Sequence, residues 1–493
     1  MRRRDLLKGA AGLGLSAAVG CAPLSVRDEN RRRGTADWML TKSRLEPLFR
    51  ARSPWIEGYC SRTTLRAGEE LSIYVSTNPA APFRLDLYRM GYYDATGGRH
   101  VGSWGPMAGT PQREPSVGEE RLRECRWEPS LQLRIPNDWP SGVYLGKLTE
   151  EKENLQSYVI FVVRDDRPCD LIYQCSDATW SAYNRWPDWW SMYQNGKKGS
   201  SWSPEVQVSW DRPYGLGGSR RANPLSLGCG EFMQWEFPFV YWLEREGYDV
   251  SYVGTLDTHR NGAGLNRARG FLSVGHDEYW SIEMYRNVKA AIDGGVSVGF
   301  FGANMCFGMV PFLPSTSGTP DRVITRKGKF GPLDPAILKD HPEYGLFRES
   351  GPSEATIVGA SCKYAHMNVG ADWICSTPNS WVYDGTGMKQ GDAIPGLIGY
   401  ETEGDPIDLP GLEVVARGSV KNDHGVEGTY AATVYPGPLG NWVFNAASIW
   451  YSDGLSAPPG YRSPSGFGAR PQGADPRVQR ITSNVLGRFL GGH

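Results

Sequence analysis

Residues 275–280 read Gly-His-Asp-Glu-Tyr-Trp, directly behind the apolar run Gly270-Phe-Leu-Ser273. Three ionisable side chains and a phenol at the end of a buried strand have no packing reason to be adjacent. Carboxylate and phenolate oxygens are hard ligands suited to a trivalent metal, and a bound cation lowers a phenol pKa enough for Tyr279 to coordinate. His276 and Asp277 are then candidates to carry protons. The competing reading is a capping turn, with Asp277 bonding helix amides and Tyr279 and Trp280 buried. A second acid, Glu343 in His341-Pro-Glu-Tyr-Gly345, is either a further ligand or an exposed turn carboxylate. Aromatic residues form the third signal. Nine of the 18 tryptophans fall between Trp180 and Trp280, which marks a bulky core or a wall facing a ligand. Trp180, Tyr183, Asn184 and Asn304 are the candidate substrate contacts in that wall and beside it.

These residues need a frame that brings strand ends together. From Trp55 to Arg164 the chain alternates short strands and turns: Leu71-Ser-Ile-Tyr-Val75, Phe83-Arg-Leu-Asp-Leu87 and Leu131-Gln-Leu-Arg-Ile135 each place alternate side chains on one face. An antiparallel β-sandwich of immunoglobulin-like type over 55–165 is the economical reading. From 166 to 493 the pattern changes. Apolar strands (Leu171–Tyr173, Val250–Val253, Gly270–Ser273, Val296–Phe301) alternate with helical stretches (Phe239–Glu246, Ser281–Ile292), which predicts an α/β domain with a largely parallel sheet. Ser281 is placed to cap its helix, Glu283 lies in its first turn, and Asp293-Gly-Gly295 ends it. Ligands of such sheets gather at the carboxyl ends of strands, which here are the loops 275–280 and Gly302-Ala-Asn304. A terminal helix over Val478–Phe489 is expected to pack on the sheet.

Composition removes several classes of function. With 53 Lys plus Arg against 54 Asp plus Glu among 493 residues, and no long run of one sign, no nucleic-acid channel is expected. Neither G-x-x-x-x-G-K-[ST], G-x-S-x-G nor H-E-x-x-H occurs, which excludes those phosphate cradles, nucleophile elbows and zinc helices. The Gly215–Arg221 stretch does not join a strand to a helix and reads as a surface loop. The nine cysteines contain no C-x-x-C. Cys60 and Cys125 are a candidate disulfide, buried free thiols being the alternative.

The first 21 residues read as an address, with 22–54 as a linker. Arg2-Arg-Arg4 precedes Leu6-Leu-Lys8 and a weakly apolar Gly/Ala-rich stretch to Gly20, and this resembles a twin-arginine signal, the route of proteins exported folded. Ala18-Val-Gly-Cys21 resembles a lipobox with Ala in place of the usual Leu. A periplasmic or outer-envelope protein, with lipid anchoring through Cys21 as an option, is the expectation.

Eight blocks in order, among them Ile56-Glu-Gly-Tyr59, Leu87-Tyr-Arg-Met-Gly-Tyr92, Trp180-Ser-Ala-Tyr-Asn184, Asp211-Arg-Pro-Tyr214, Trp242-Leu-Glu-Arg-Glu-Gly-Tyr248, Gly275-His-Asp-Glu-Tyr-Trp280 and Phe300-Phe-Gly-Ala-Asn304, resemble the N,N-dimethylformamidase large-subunit-like family. The resemblance implies an Ig-like region followed by a class I glutamine amidotransferase-like fold. It also implies hydrolysis of a small N-alkyl amide at a mononuclear Fe(III) site held by two tyrosinates and a glutamate. Carried over to this chain, it points to Tyr279 and Glu343 as ligands. The second tyrosine would fall near the Trp-Leu-Glu block, where the chain has Phe239 with Tyr241 close by. An amidotransferase nucleophile would follow the strand Val296–Phe301, but Asn304 cannot form an acyl-enzyme and Cys306 is displaced by two residues. The expectation is an exported, metal-assisted amide or C–N hydrolase acting on a small molecule, with His276 or Asp277 shuttling the proton. The rival is a non-catalytic envelope lipoprotein that binds glycan or peptide through its Trp-rich face.

Overall fold

The computed structural model describes residues 25–45, 52–196, 206–216, 224–326, 339, 345–362, 369–421, 425–462 and 473–491. Two sheets come first. One has five strands in the order Thr64–Arg66, Gln156–Arg164, Gly142–Glu150, Phe83–Met90, Gly98–Met107, and the other three in the order Glu57–Cys60, Glu70–Ser76, Leu131–Arg134. The alternation seen in the sequence sets their facing. Leu71, Ile73 and Val75 meet Phe83, Leu85, Leu87, Tyr144 and Phe161 in one apolar core between the sheets. The run Tyr158-Val-Ile-Phe-Val-Val163 is apolar throughout because its sheet is covered on both faces. Val159, Phe161 and Val163 point inward, whereas Tyr158, Ile160 and Val162 join Tyr88, Met90, Val143 and Leu145 in a second core shared with the helix Phe237–Arg245 and the strand Val250–Gly254.

A seven-stranded sheet follows, in the order Val250–Gly254, Cys169–Cys175, Ala268–His276, Ser297–Ala303, Trp442–Asn445, Glu427–Pro436, Glu413–Lys421. The first five are parallel, and the last two add an antiparallel edge. Helices cover both faces. Ile282–Asp293 buries Met284, Val288 and Ile292 against Phe271, Val298 and Phe300, while Phe237–Arg245 and Pro476–Phe489 cover the side bearing Leu171, Leu272 and Phe301. The N-cap is Ser281, whose Oγ accepts from Met284 N at 3.1 Å, and Gly294 is the C-cap.

Across the seam between the two sheet systems lies a fully buried ion pair. Arg89 Nη2 and Nη1 donate to the two Glu244 oxygens at 2.9 and 3.0 Å, the Tyr252 hydroxyl also donates to Glu244, and Arg89 reaches the Ser141 carbonyl. All eight described cysteines are buried and free; Cys60 belongs to the core between the first two sheets, and Cys125 to a separate aromatic cluster with Tyr59, Trp127 and Trp186. Among the described residues no helix is long and apolar enough to cross a membrane.

Candidate functional site

Cys169–Cys175, Ala268–His276 and Ser297–Ala303 are adjacent parallel strands, so three following segments converge at one edge: the helix Asp177–Tyr183, the residues after His276, and Asn304. The approach is tight. A Cβ on Gly302 would lie 2.1 Å from the Gly275 carbonyl, and Gly275 itself has φ +71° with Trp235 against it. Thr179 then fastens the loop, its Oγ1 accepting from the Glu278 and Tyr279 amides at 3.0 and 3.2 Å. One helical turn on, on the same face, Tyr183 extends over Glu278.

Three oxygens meet there. The Tyr183 hydroxyl donates to Glu278 Oε2 at 2.7 Å, the Tyr193 hydroxyl lies 3.2 Å from the same oxygen, and the two hydroxyls are 2.9 Å apart. Tyr193 stands at the turn of the hairpin Trp190–Ser191/Gln194–Asn195, and its hydroxyl also makes a very short contact with that of Tyr279. Arg326 lies over the Tyr193 ring and donates to the Met192 carbonyl at 2.7 Å. Burial, together with the Glu278 carboxylate, pushes the phenols of Tyr183, Tyr193 and Tyr279 well above their usual range.

Behind Glu278 stands His276. Its Nε2 is 3.3 Å from Glu278 Oε2 and 3.2 Å from Glu401 Oε2, and its Nδ1 is 3.6 Å from Glu231. Burial favours the neutral ring, but Glu231, Glu278 and Glu401 outweigh it and hold the imidazole pKa well up. Asn304, in the left-handed region at φ 57°, donates from Nδ2 to Glu401 Oε2 at 2.8 Å, and the following amide of Met305 donates to Glu403 at 2.9 Å. Tyr400 stacks on Trp235 and closes the side beyond His276.

The residues singled out in the sequence distribute as follows. His276, Tyr279, Tyr183 and Asn304 come together. Asp277 points the other way: fully buried, it accepts from Gln174 at 2.6 Å and Ser273 at 2.8 Å, and burial lifts its carboxyl pKa to about 6. These partners are side chains, not the helix amides of the capping-turn reading. The Trp180 indole donates to Glu236 at 2.7 Å and packs against Tyr214 and Phe232. Asn184 bonds the Pro213 carbonyl and the Trp186 and Gly215 amides. Tyr241 packs on Tyr92 and Phe237, at the seam with the first sheets, and Phe239 on Tyr173 and Phe301; neither contacts Tyr279. Glu343 lies outside the described residues, as do residues 1–21, on which the signal and lipidation expectations rest. Of the described tryptophans between 180 and 280, all but the half-buried Trp190 are buried, so they line cores and no stacking face.

Sequence reasoning assigned no role to Glu278, Tyr193, Glu231, Glu401 or Glu403. A signal existed for Glu401-Thr-Glu403, an acidic pair directly after the apolar strand Ala393–Tyr400. Tyr193 had none, since it sits in an aromatic stretch, Trp189-Trp-Ser-Met-Tyr193, indistinguishable from core.

Among the described residues no three His, Cys, Asp or Glu side chains are grouped to hold a metal. The set that does converge is the phenols of Tyr183, Tyr193 and Tyr279 and the Glu278 carboxylate, all hard oxygen donors at hydrogen-bonding separation. That chemistry fits a small, highly charged ion. Residues 84–463 match a family model described as N,N-dimethylformamidase beta subunit-like, C-terminal. No curated protein matches the chain.

Proposed function

Because the chain belongs to the N,N-dimethylformamidase beta subunit-like family, we propose that it hydrolyses an amide or related C–N bond with Fe(III) held by Tyr183, Tyr193 and Glu278. The observation that carries this reading is the triangle of oxygens at 2.7, 2.9 and 3.2 Å. A ferric ion bound there supplies Lewis acidity toward a carbonyl oxygen or water. The remaining work falls to the chain. His276 holds a proton at Nε2 between Glu278 and Glu401, positioned to donate to a departing amine. Glu401 anchors both His276 and the Asn304 amide, whose Oδ1 has no partner among the described residues and is available to a substrate N–H. Tyr279 steadies the Tyr193 hydroxyl.

The frame suits this reading. Two sheets over one core, with the Tyr144 hydroxyl bonded back to the Pro140 carbonyl at 2.8 Å, support an Ig-like sandwich over 55–165. The parallel sheet with helices on both faces, and the left-handed Asn304 where an elbow nucleophile would stand, support an amidotransferase-like fold over 166–493. Export by the folded-protein route, with lipid attachment at Cys21, is supported by Arg2–Arg4, the weakly apolar Gly9–Gly20 and Ala18-Val-Gly-Cys21.

The test is iron content together with the phenolate-to-iron absorption band of the purified full chain. Tyr183→Phe and Tyr193→Phe should each shift or abolish that band while leaving the fold intact. A folded wild type without iron or colour refutes the metal reading.

A further inference from the structure

Two phenols can share one ion only if the helix end carrying Tyr183 and the hairpin carrying Tyr193 keep a fixed separation. The structure shows what spans them. Arg212 follows the strand Val206–Ser209 and is 1% exposed. Its five N–H donors reach five main-chain carbonyls: Nε to Ser209 at 3.2 Å, Nη1 to Trp186 at 2.8 Å and Trp190 at 2.7 Å, Nη2 to Ser181 at 3.4 Å and Asn184 at 3.1 Å. Ser181 and Asn184 bracket Tyr183 at the end of its helix, where carbonyls lack intrahelical partners. Trp186 belongs to the connection that leads into the Tyr193 hairpin, and Trp190 is the first residue of that hairpin.

Among the described residues no carboxylate balances this guanidinium. The neighbouring Asp211 is taken by Arg322, whose Nε and Nη2 reach its Oδ1 at 3.1 and 2.6 Å. A buried cation with carbonyl partners alone is costly, and burial lowers the Arg212 pKa to about 10. A neutral side chain could fill the same space, but none offers five donors in one rigid plane. Asn184 interlocks with the same segment through the Pro213 carbonyl at 2.9 Å.

We infer that Arg212 is a positioning residue that sets the distance between Tyr183 and Tyr193 by clamping the carbonyls on either side of the connection joining them. The inference rests on the reading of Tyr183, Tyr193 and Glu278 as the ferric site. Arg212 touches none of the three oxygens and acts through the main chain.

The experiment challenges the iron-loaded full chain with a graded chelator and follows the phenolate-to-iron band. Arg212→Lys keeps the charge but has three donors on one atom. It is expected to fold, to lose iron at about ten- to hundredfold lower chelator concentration, and to show a shifted band, as loss of outer-shell support does. Arg212→Gln should behave likewise. Arg89→Met removes a buried arginine from the distant seam and should lower stability without moving the band. If Tyr183→Phe and Tyr193→Phe abolish the band while folded Arg212→Lys retains it unchanged, this inference alone is overturned. If the band is absent or ignores both tyrosines, the site reading fails and the inference falls with it. Failure of both Arg212 variants to fold would make Arg212 a general framework residue and overturn the assignment too.

Discussion

Glu278 and Asp277 are neighbours in the chain and opposite in environment. Glu278 meets two phenols and a histidine, whereas Asp277 is held by Gln174 and Ser273. Glu278→Gln should therefore cut iron content below about a tenth of wild type, since a neutral amide is a poor ligand for a trivalent cation, while Asp277→Asn retains it. Elemental analysis of the two proteins decides the matter, and Glu343→Gln in the same series tests the glutamate suggested by the resemblance. A second carboxyl gives a pH signature. Glu236 is fully buried, and burial pushes its pKa well above 4.5 despite bonds from the Trp180 indole and the Ser176 amide. The native state then keeps a proton that the unfolded chain releases above about pH 4.5, so stability falls as pH rises from there toward the folded pKa. Glu236→Gln removes that dependence. Its melting temperature should match wild type near pH 5 and exceed it at pH 8; equal values at both would place the charge elsewhere.

Individual elements were legible where local rules decide. Ser281, Glu283 and Gly294 announce the helix Ile282–Asp293, and alternation announces Glu70–Ser76 and Phe83–Met90, because caps and half-buried strands are governed by nearest neighbours. The loop 275–280 stood out in the sequence because its residue types conflict with burial, and its side chains are indeed buried. Long-range meetings were not. Tyr193 joins Glu278 across 85 residues, and Arg212 is one arginine among many until the carbonyls around it are seen. Tyr241 illustrates the reverse case. The family resemblance suggested it, near the Trp-Leu-Glu block, but the helix Phe237–Arg245 turns it toward Tyr92 and the first sheets. That same helix presents Glu244 to Arg89. Glu244→Gln leaves a guanidinium buried without its counterion and should cost about 3–5 kcal/mol in denaturant unfolding, whereas replacing both partners by apolar residues of similar size should cost far less.

At the scale of the whole molecule, the proposed twin-arginine route is open to a direct test. Arg3→Lys with Arg4→Lys should leave the precursor in the cytoplasm, scored by fractionation; normal export of that double variant would remove the folded-route reading. The eight described cysteines, all free and buried, need no oxidising step before such export. The seam has a further consequence. Tyr88, Met90, Val143, Leu145 and Ile160 of the first sheets share one core with Phe237, Val240 and Tyr252 of the second part, and Arg89 and Glu244 complete each other across it. Neither part has a finished surface of its own on that side. The chain should accordingly melt in a single endotherm, with van't Hoff and calorimetric enthalpies that agree. For the same reason the first sheets are not a cassette that recombination could exchange for another sandwich: a transplanted partner would have to arrive already carrying the other half of the pair.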